Sequence, residues 1–329
     1  MPRRAVNLAL LVLVPLLAGT GLLAWIAPEP ATIPLLVAHR IAGVGLLLGF
    51  SWKYGIARRS LRRRTVVKRD ASLIVGAIAS LALLLVLGLG LAWTIGAISF
   101  DRPLEYSLLN VHVLVGVALV PIVVAHAAQR WETRPAVADL FERRVALRAL
   151  AVGAGAIVAT VALDRIGLAR RPTGSRHAAS FTGNDFPLTI WRVDQVPEID
   201  RASWTLEVAG AVSSPVRLSY DELIALPTTE RDALIDCTGG WWSEQQWRGV
   251  TLADLLGPRA VDSRAHSIEV TSVTGHAWTF PVSEARDLLL ATHVGGEPLA
   301  PGHGYPARLV APEHRGFVWI KWVARVTLT

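Results

Sequence analysis

One cysteine and one methionine occur among 329 residues, and the near absence of sulfur excludes several chemistries at once. A single thiol, Cys237, cannot form an internal disulfide. Neither CxxC nor CxxCH occurs, which argues against an iron–sulfur cluster, a zinc ribbon and a c-type haem. Basic residues are nearly missing from two stretches, 27–34 (APEPATIP) and 99–106 (SFDRPLEY). No internal repeat and no low-complexity tract stands out.

Apolar residues are what the chain has in excess: 52% of the total, with a mean hydropathy of +0.42, too much for an ordinary soluble protein. The excess lies in the first half. Apolar runs at 5–26, 33–50, 71–98, 107–128 and 145–163 approach or exceed the roughly 20 residues that cross a bilayer. They predict five spanning helices.

Loop charge sets their direction. The stretch 52–70 (WKYGIARRSLRRRTVVKRD) carries eight Lys or Arg against Asp70 alone, and 130–148 carries five Arg against three acids. Positive short loops stay cytoplasmic, so these two face inward and the poorly basic 27–34 and 99–106 face outward. Arg3 and Arg4 place the N-terminus inside, and five crossings deliver the C-terminal half to the extracytoplasmic side of the cytoplasmic membrane. Residues 1–170 hold 19 basic and 8 acidic groups, and residues 171–329 hold 14 and 18. The net charge of +7 is therefore topogenic and does not point to nucleic acid. Before the fifth run, Arg143 and Arg144 precede a stretch of Ala, Gly and Val. That is either an internal twin-arginine export signal, read by a receptor for folded cargo, or ordinary positive-inside charge.

After the helices, 169–180 (ARRPTGSRHAAS) has linker composition. The boundaries expected are a membrane domain at 1–168, a linker at 169–183 and a soluble domain at 184–329. WTLEVAG (204–210), SIEVTSV (267–273) and FVWIKWVARVTL (317–328) read as strands. Ser219 with Glu222 forms a capping box, and Thr251 with Asp254 resembles one, ending at Gly257. Strands and short helices without βαβ regularity predict an α+β domain.

Three of the nine histidines fall in predicted helices: His39 in the second, His112 and His126 in the fourth. Fourteen residues are nearly four turns, so His112 and His126 share one face about 21 Å apart. His39 and His112 each lie about two turns in from the outer side, so their imidazoles meet at one depth. Ionisable groups inside a bilayer mark ligands or transfer pathways, and two facing imidazoles suit a b-type haem. The alternative is a pair of structural histidines bonded to carbonyls. The fourth-helix spacing and the His39–Arg40 pair resemble di-haem cytochrome b subunits of the cytochrome b561 and formate dehydrogenase gamma types. One departure concerns the inner side, where Lys53 stands 14 residues after His39. His126 then belongs to a second haem with an unusual partner, to a quinone site, or to neither.

Cys237 sits in LIDCTGGWWSEQQWRGV (234–250). A buried apolar cysteine at a strand end is the plain interpretation; Thr238, Gly239 and Gly240 add a permissive backbone where a large ligand can approach. This stretch, followed by PLAPGHGYPARLVAPEHRGFVWIKWVARVTL (298–328), resembles the oxidoreductase molybdopterin-binding domain of sulfite oxidases and of the periplasmic methionine sulfoxide reductase catalytic subunit. The resemblance covers roughly 184–329. It implies a sulfite-oxidase-type fold with Cys237 as the thiolate ligand of molybdenum. His303 and Arg308 would contact the pterin and its phosphate, with Trp319, Ile320 and Lys321 closing the phosphate site. Asn184 matches the family's entrance asparagine, and Ser272 matches another cofactor contact.

Sulfite oxidases carry arginines before the entrance asparagine and shortly after the cysteine. Here Gly183 and the GGWW of 239–242 hold those places. A site lined by Trp241 and Trp242 favours a sulfoxide or N-oxide over the oxyanion sulfite, with His314 and Arg315 as possible sources of charge. The combined expectation is a membrane-bound molybdenum-molybdopterin enzyme exchanging electrons with membrane quinone through one or two b haems, the haem at His39 and His112 being the direct partner of molybdenum. Two alternatives are a passive membrane anchor with a separate electron partner, and a non-catalytic ligand-binding module.

Overall fold

The computed structural model describes residues 3–27, 29–67, 72–98, 107–129, 143–166, 170–190, 195–257 and 264–329. The expected outer loop 99–106, residues 130–142 of the second basic loop and 68–71 of the first lie outside the described residues, as do the side chains of 59–72. Two compact units result, one of Met1–Trp25 with Pro30–Gly174, the other of Ile26–Glu29 with Ser175–Thr329.

The first unit is helical: α1 (Arg3–Ile26), α2 (Glu29–Val67), α3 (Ser72–Ile95), α4 (Leu108–Ala128) and α5 (Arg143–Ile166). Each contains a span long and apolar enough to cross a membrane, the pattern of a multi-pass membrane protein. Val14, Leu46, Ala79, Leu83 and Leu119 pack together at the centre. Leu81, Leu150, Val158 and Ile74 are turned outward and exposed, a distribution suited to a lipid solvent and costly in water. α2 departs from expectation. It runs 17 residues beyond the predicted end at 50, through Arg58 to Val67, because WKYGIARRSLRRRTVV lacks proline and carries five Arg, a good helix former.

The second unit is built from two sheets. β1 (Arg176–His177) precedes β2 (Thr205–Gly210), β3 (Val216–Ser219), α6 (Tyr220–Ile224), β4 (Thr229–Asp236), β5 (Trp241–Thr251) and α7 (Leu252–Leu256). β6 (Ser267–Ser272), β7 (Ala277–Pro281), β8 (Leu289–Val294), β9 (Glu297–Pro298), β10 (Arg308–Val310) and β11 (Val323–Leu328) complete it. One sheet follows the order β1-β5-β8-β10, with β4 also on β5 and β9 on β8; the other runs β3-β2-β11-β6-β7. Most pairs are antiparallel, but β1 lies parallel to β5 and β11 parallel to β2. The architecture is five apolar helices followed by an α+β domain.

Local signals explain much of this. Ser219 and Glu222 cap α6 reciprocally, and the Thr251 side chain accepts from the N–H of Asp254 at the start of α7. The C-terminal half of the expected linker pairs with the sheet, the N–H groups of Arg176 and Ala178 donating to the carbonyls of Gly240 and Trp242. One expectation needs correction. The expected strand 317–328 begins only at Val323. Before it, Trp319, Ile320 and Trp322 are all buried, a run incompatible with period-two alternation. The segment follows β10 instead: Leu309 N–H donates to Ile320 O (2.7 Å), Val323 N–H donates to Ala307 O (2.8 Å), and Trp322 turns the chain at φ 54°.

Candidate active site

β4 ends at Asp236, and Cys237 follows in a tight turn closed by Cys237 N–H to Trp241 O (2.8 Å) and Gly240 N–H to Cys237 O (3.0 Å). Gly240 takes φ 90°, a conformation glycine adopts without a Cβ clash. The sulfur is 6% exposed with its residue. It accepts from Gly239 N–H (3.3 Å) and lies 3.3 Å from the Thr189 hydroxyl. Gly316 packs behind it.

Arg308, the first residue of β10, is buried to 2% exposure. Its guanidinium carbon stands 5.9, 5.3 and 5.8 Å from the rings of Phe186, Trp247 and Trp319. One Nη donates to His303 O (3.1 Å), while Nε has no partner and no carboxylate pairs with the group among the described residues. Burial pushes its pKa down to about 10, against the opposing pull of the nearby Cys237 sulfur. A buried cation without a counter-ion is costly, and aromatic faces offset only part of that. The site thus fits an anionic group that completes Arg308 beside a soft sulfur donor, as a phosphorylated dithiolene–molybdenum cofactor would.

The other residues singled out in the sequence fall around this pair or away from it. His303 is buried, and its Nε2 meets Phe186 O at 2.9 Å with the Phe186 ring 4.1 Å away. Gly304 takes φ 112°, and a Cβ there would stand 3.0 Å from Arg308 Cβ and 3.3 Å from Lys321 Cβ. Lys321 donates to Thr189 O (3.0 Å), Trp319 to His314 O (3.1 Å), and Ile320 is fully buried. Asn184 clamps the segment before HGYPAR, accepting from Ala300 N–H (2.8 Å) and donating to Pro298 O (2.9 Å). Ser272 lies in the other sheet, where its hydroxyl accepts from Thr274 N–H (3.2 Å) and closes the turn after β6.

Two expectations about the lining differ in the structure. β-alternation separates Trp241 and Trp242: the first is buried, 6.0 Å from Phe186 and donating to the Thr189 hydroxyl (3.0 Å); the second lies 4.5 Å from His177. The charges of Arg315 and His314 are already engaged. Arg315 forms a buried ion pair with Asp236, which also accepts from Ser175, and His314 Nε2 lies 3.0 Å from Glu284. Thr189, Phe186, Trp247 and Asp236 are site residues that sequence reasoning missed. Only Asp236, beside the cysteine, carried a local hint.

In the helical unit the rings of His39 and His112 stand 6.1 Å apart between centroids, at 74°. His39 Nδ1 donates to Leu17 O (3.0 Å) and His112 Nδ1 to Val86 O (2.9 Å). A carbonyl can only accept, so each imidazole keeps its Nε2 lone pair. Among the described residues neither Nε2 has a hydrogen-bond partner. Iron–nitrogen bonds of about 2 Å at both Nε2 atoms would separate the centroids by about 6 Å, and the two rings stand 6.1 Å apart. Glycines face the rings: Cβ atoms at Gly21 and Gly90 would lie 3.2 and 3.1 Å from the Cε1 atoms of His39 and His112. His126 meets Gly76 in the same way, and Lys53 donates to Asn7 (2.9 Å).

A soft sulfur beside a buried cation that no carboxylate pairs among the described residues suits an anionic, metal-bearing cofactor, in an α+β domain that follows five apolar helices along the chain. Residues 193–329 match the family described as oxidoreductase molybdopterin binding domain. Over 133 residues the chain is 32% identical to an uncharacterized oxidoreductase, YuiH, of Bacillus subtilis, covering 40% of this chain and 67% of that protein. The chain belongs to the molybdopterin-binding oxidoreductase family. It is also 33% identical over 172 residues to a nitrate reductase [NADH] of Hordeum vulgare, covering 41% of this chain but 18% of the relative; only about a fifth of that protein is spanned. A sulfane dehydrogenase SoxCD structure from Paracoccus pantotrophus aligns at 26% identity and TM-score 0.40, over 41% of this chain and 40% of that one.

Proposed function

We propose that the chain is a membrane-anchored molybdenum-cofactor oxidoreductase that exchanges electrons between a small extracytoplasmic substrate and the quinone pool through a b-type haem. The observation that carries the membrane half is the His39–His112 pair, 6.1 Å between centroids with both Nδ1 atoms tied to carbonyls. Cys237 and the uncompensated Arg308 support the soluble half.

Cys237 supplies a thiolate whose sulfur is held by the Gly239 N–H. Arg308 and Lys321 hold the cofactor's anionic end, with His303 and Asn184 fixing the backbone around them. The cofactor, when bound, supplies two-electron exchange with substrate. Phe186, Trp247 and Trp319 keep water from the buried guanidinium. His39 and His112 hold the haem that passes electrons singly. His126 lines the inner end, for quinone or a second haem.

Gly183 replaces the arginine that sulfite oxidases place before the entrance asparagine, and both Arg315 and His314 are already paired. A sulfoxide or N-oxide suits this setting better than a dianion. Molybdenum analysis and a reduced-minus-oxidised spectrum of the detergent-purified chain test the proposal. One molybdenum and at least one b haem per chain are expected. Molybdenum without haem would reduce the helices to an anchor, and haem without molybdenum would remove the role of Cys237.

A further inference from the structure

Thr189 lies in the segment after the Asn184 turn, with no motif or periodicity to mark it, and three site residues converge on it. Its hydroxyl is 3.3 Å from Cys237 Sγ and accepts from Trp241 Nε1 at 3.0 Å. Its carbonyl accepts from Lys321 Nζ at 3.0 Å. A Cβ added at Gly239 would stand 2.7 Å from the same hydroxyl oxygen and 3.5 Å from the sulfur. The glycine thus lets the threonine reach the cysteine loop.

Direction follows from the donor inventory. An indole N–H can only donate, so Trp241 occupies a lone pair of the Thr189 oxygen. A metal-bound cysteine is a thiolate with no proton to give. The hydroxyl proton of Thr189 is then the group available to point at the sulfur. We infer that Thr189 is a positioning residue of the molybdenum site: its hydroxyl, oriented by the Trp241 indole, donates to Cys237 Sγ and sets how much electron density the sulfur delivers to the metal. The inference rests on Cys237 being the molybdenum ligand. Gly239 N–H is the second donor to the same sulfur, so Thr189 raises the count from one to two. Hydrogen bonds to a ligand sulfur are a recognised means of tuning a metal's potential.

The test compares wild type, Thr189→Val and Thr189→Ser in the full-length, cofactor-loaded chain by redox titration of the Mo(V) electron paramagnetic resonance signal. Valine keeps the shape and removes the donor, which makes the sulfur a stronger electron donor and favours the oxidised metal. A roughly tenfold shift of the one-electron equilibrium toward oxidised metal is expected, about 59 mV lower in potential, with altered g-values and recovery in Thr189→Ser. Unchanged potential and g-values in Thr189→Val, at equal molybdenum content, would overturn the inference. Cys237→Ala separates this from the underlying assignment. If that variant keeps molybdenum with an unaltered signal, the ligand assignment itself fails and the inference with it. If it loses the signal while Thr189→Val matches wild type, the role of Thr189 alone is refuted.

Discussion

Gly316 lies directly behind Cys237. A Cβ at that position would stand 3.0 Å from the Cys237 α-carbon and 3.2 Å from Asp236 O, and both are backbone atoms that cannot swing aside. Gly316→Ala therefore pushes the end of β4 and the cysteine turn. The expected cost is about 1–3 kcal/mol, read as a lower denaturation midpoint, with reduced molybdenum content in the purified protein. Wild-type values for both would mean that the cysteine turn yields freely.

Arg308 should weaken the empty protein and be indispensable to the loaded one. Its pKa is lowered in the fold, to about 10, so the charged form is disfavoured there relative to the unfolded chain. That penalty is full below about pH 10 and shrinks as pH rises toward the ordinary arginine value. Arg308→Met is expected to stabilise the cofactor-free protein by about 1–3 kcal/mol at neutral pH and to abolish retention of molybdopterin. Chemical denaturation and cofactor extraction measure the two effects. A destabilised cofactor-free variant would show that the aromatic cage already compensates the charge.

The sequence made some of this arrangement legible and hid the rest for physical reasons. Helical period and loop charge carried the prediction that His39 and His112 meet, because spanning helices have few freedoms beyond depth and rotation. The Ser219–Glu222 cap was visible because its partners are three residues apart. Thr189 and Cys237 are separated by 48 residues, and Ser175 and Arg315 by 140. Such pairs are fixed by sheet assembly and leave no local pattern. The strand expected across Trp319–Trp322 failed because hydrophobicity alone does not distinguish a strand from an extended segment buried on both sides.

Asp236 and Arg315 form an ion pair with side chains 2% and 6% exposed, joined by Ser175. Removing one partner leaves an uncompensated buried charge, which costs about 3–5 kcal/mol. Asp236→Asn should lose stability of that order, whereas Asp236→Asn combined with Arg315→Met should recover a large part. A double-mutant cycle by denaturant titration measures the coupling. Additive losses would show that the two residues act separately.

His39 and His112 supply the sharpest prediction for the helical unit. If one iron joins their free Nε2 atoms, either His39→Ala or His112→Ala should remove the same haem, lowering the visible absorbance per chain by one equivalent in both. Gly90→Leu makes the complementary test. A Cβ there already stands 3.1 Å from His112 Cε1, so a branched side chain must turn the imidazole off its carbonyl bond with Val86. The expected result is a haem retained in part, with a shifted absorption maximum and a higher midpoint potential spread over a wider range, because an imidazole without its carbonyl bond is a weaker donor to iron. Loss of two different absorbance equivalents in the two alanine variants would place the histidines on separate haems, and undiminished absorbance in both would return them to a structural role, held by Leu17, Thr20 and Val86.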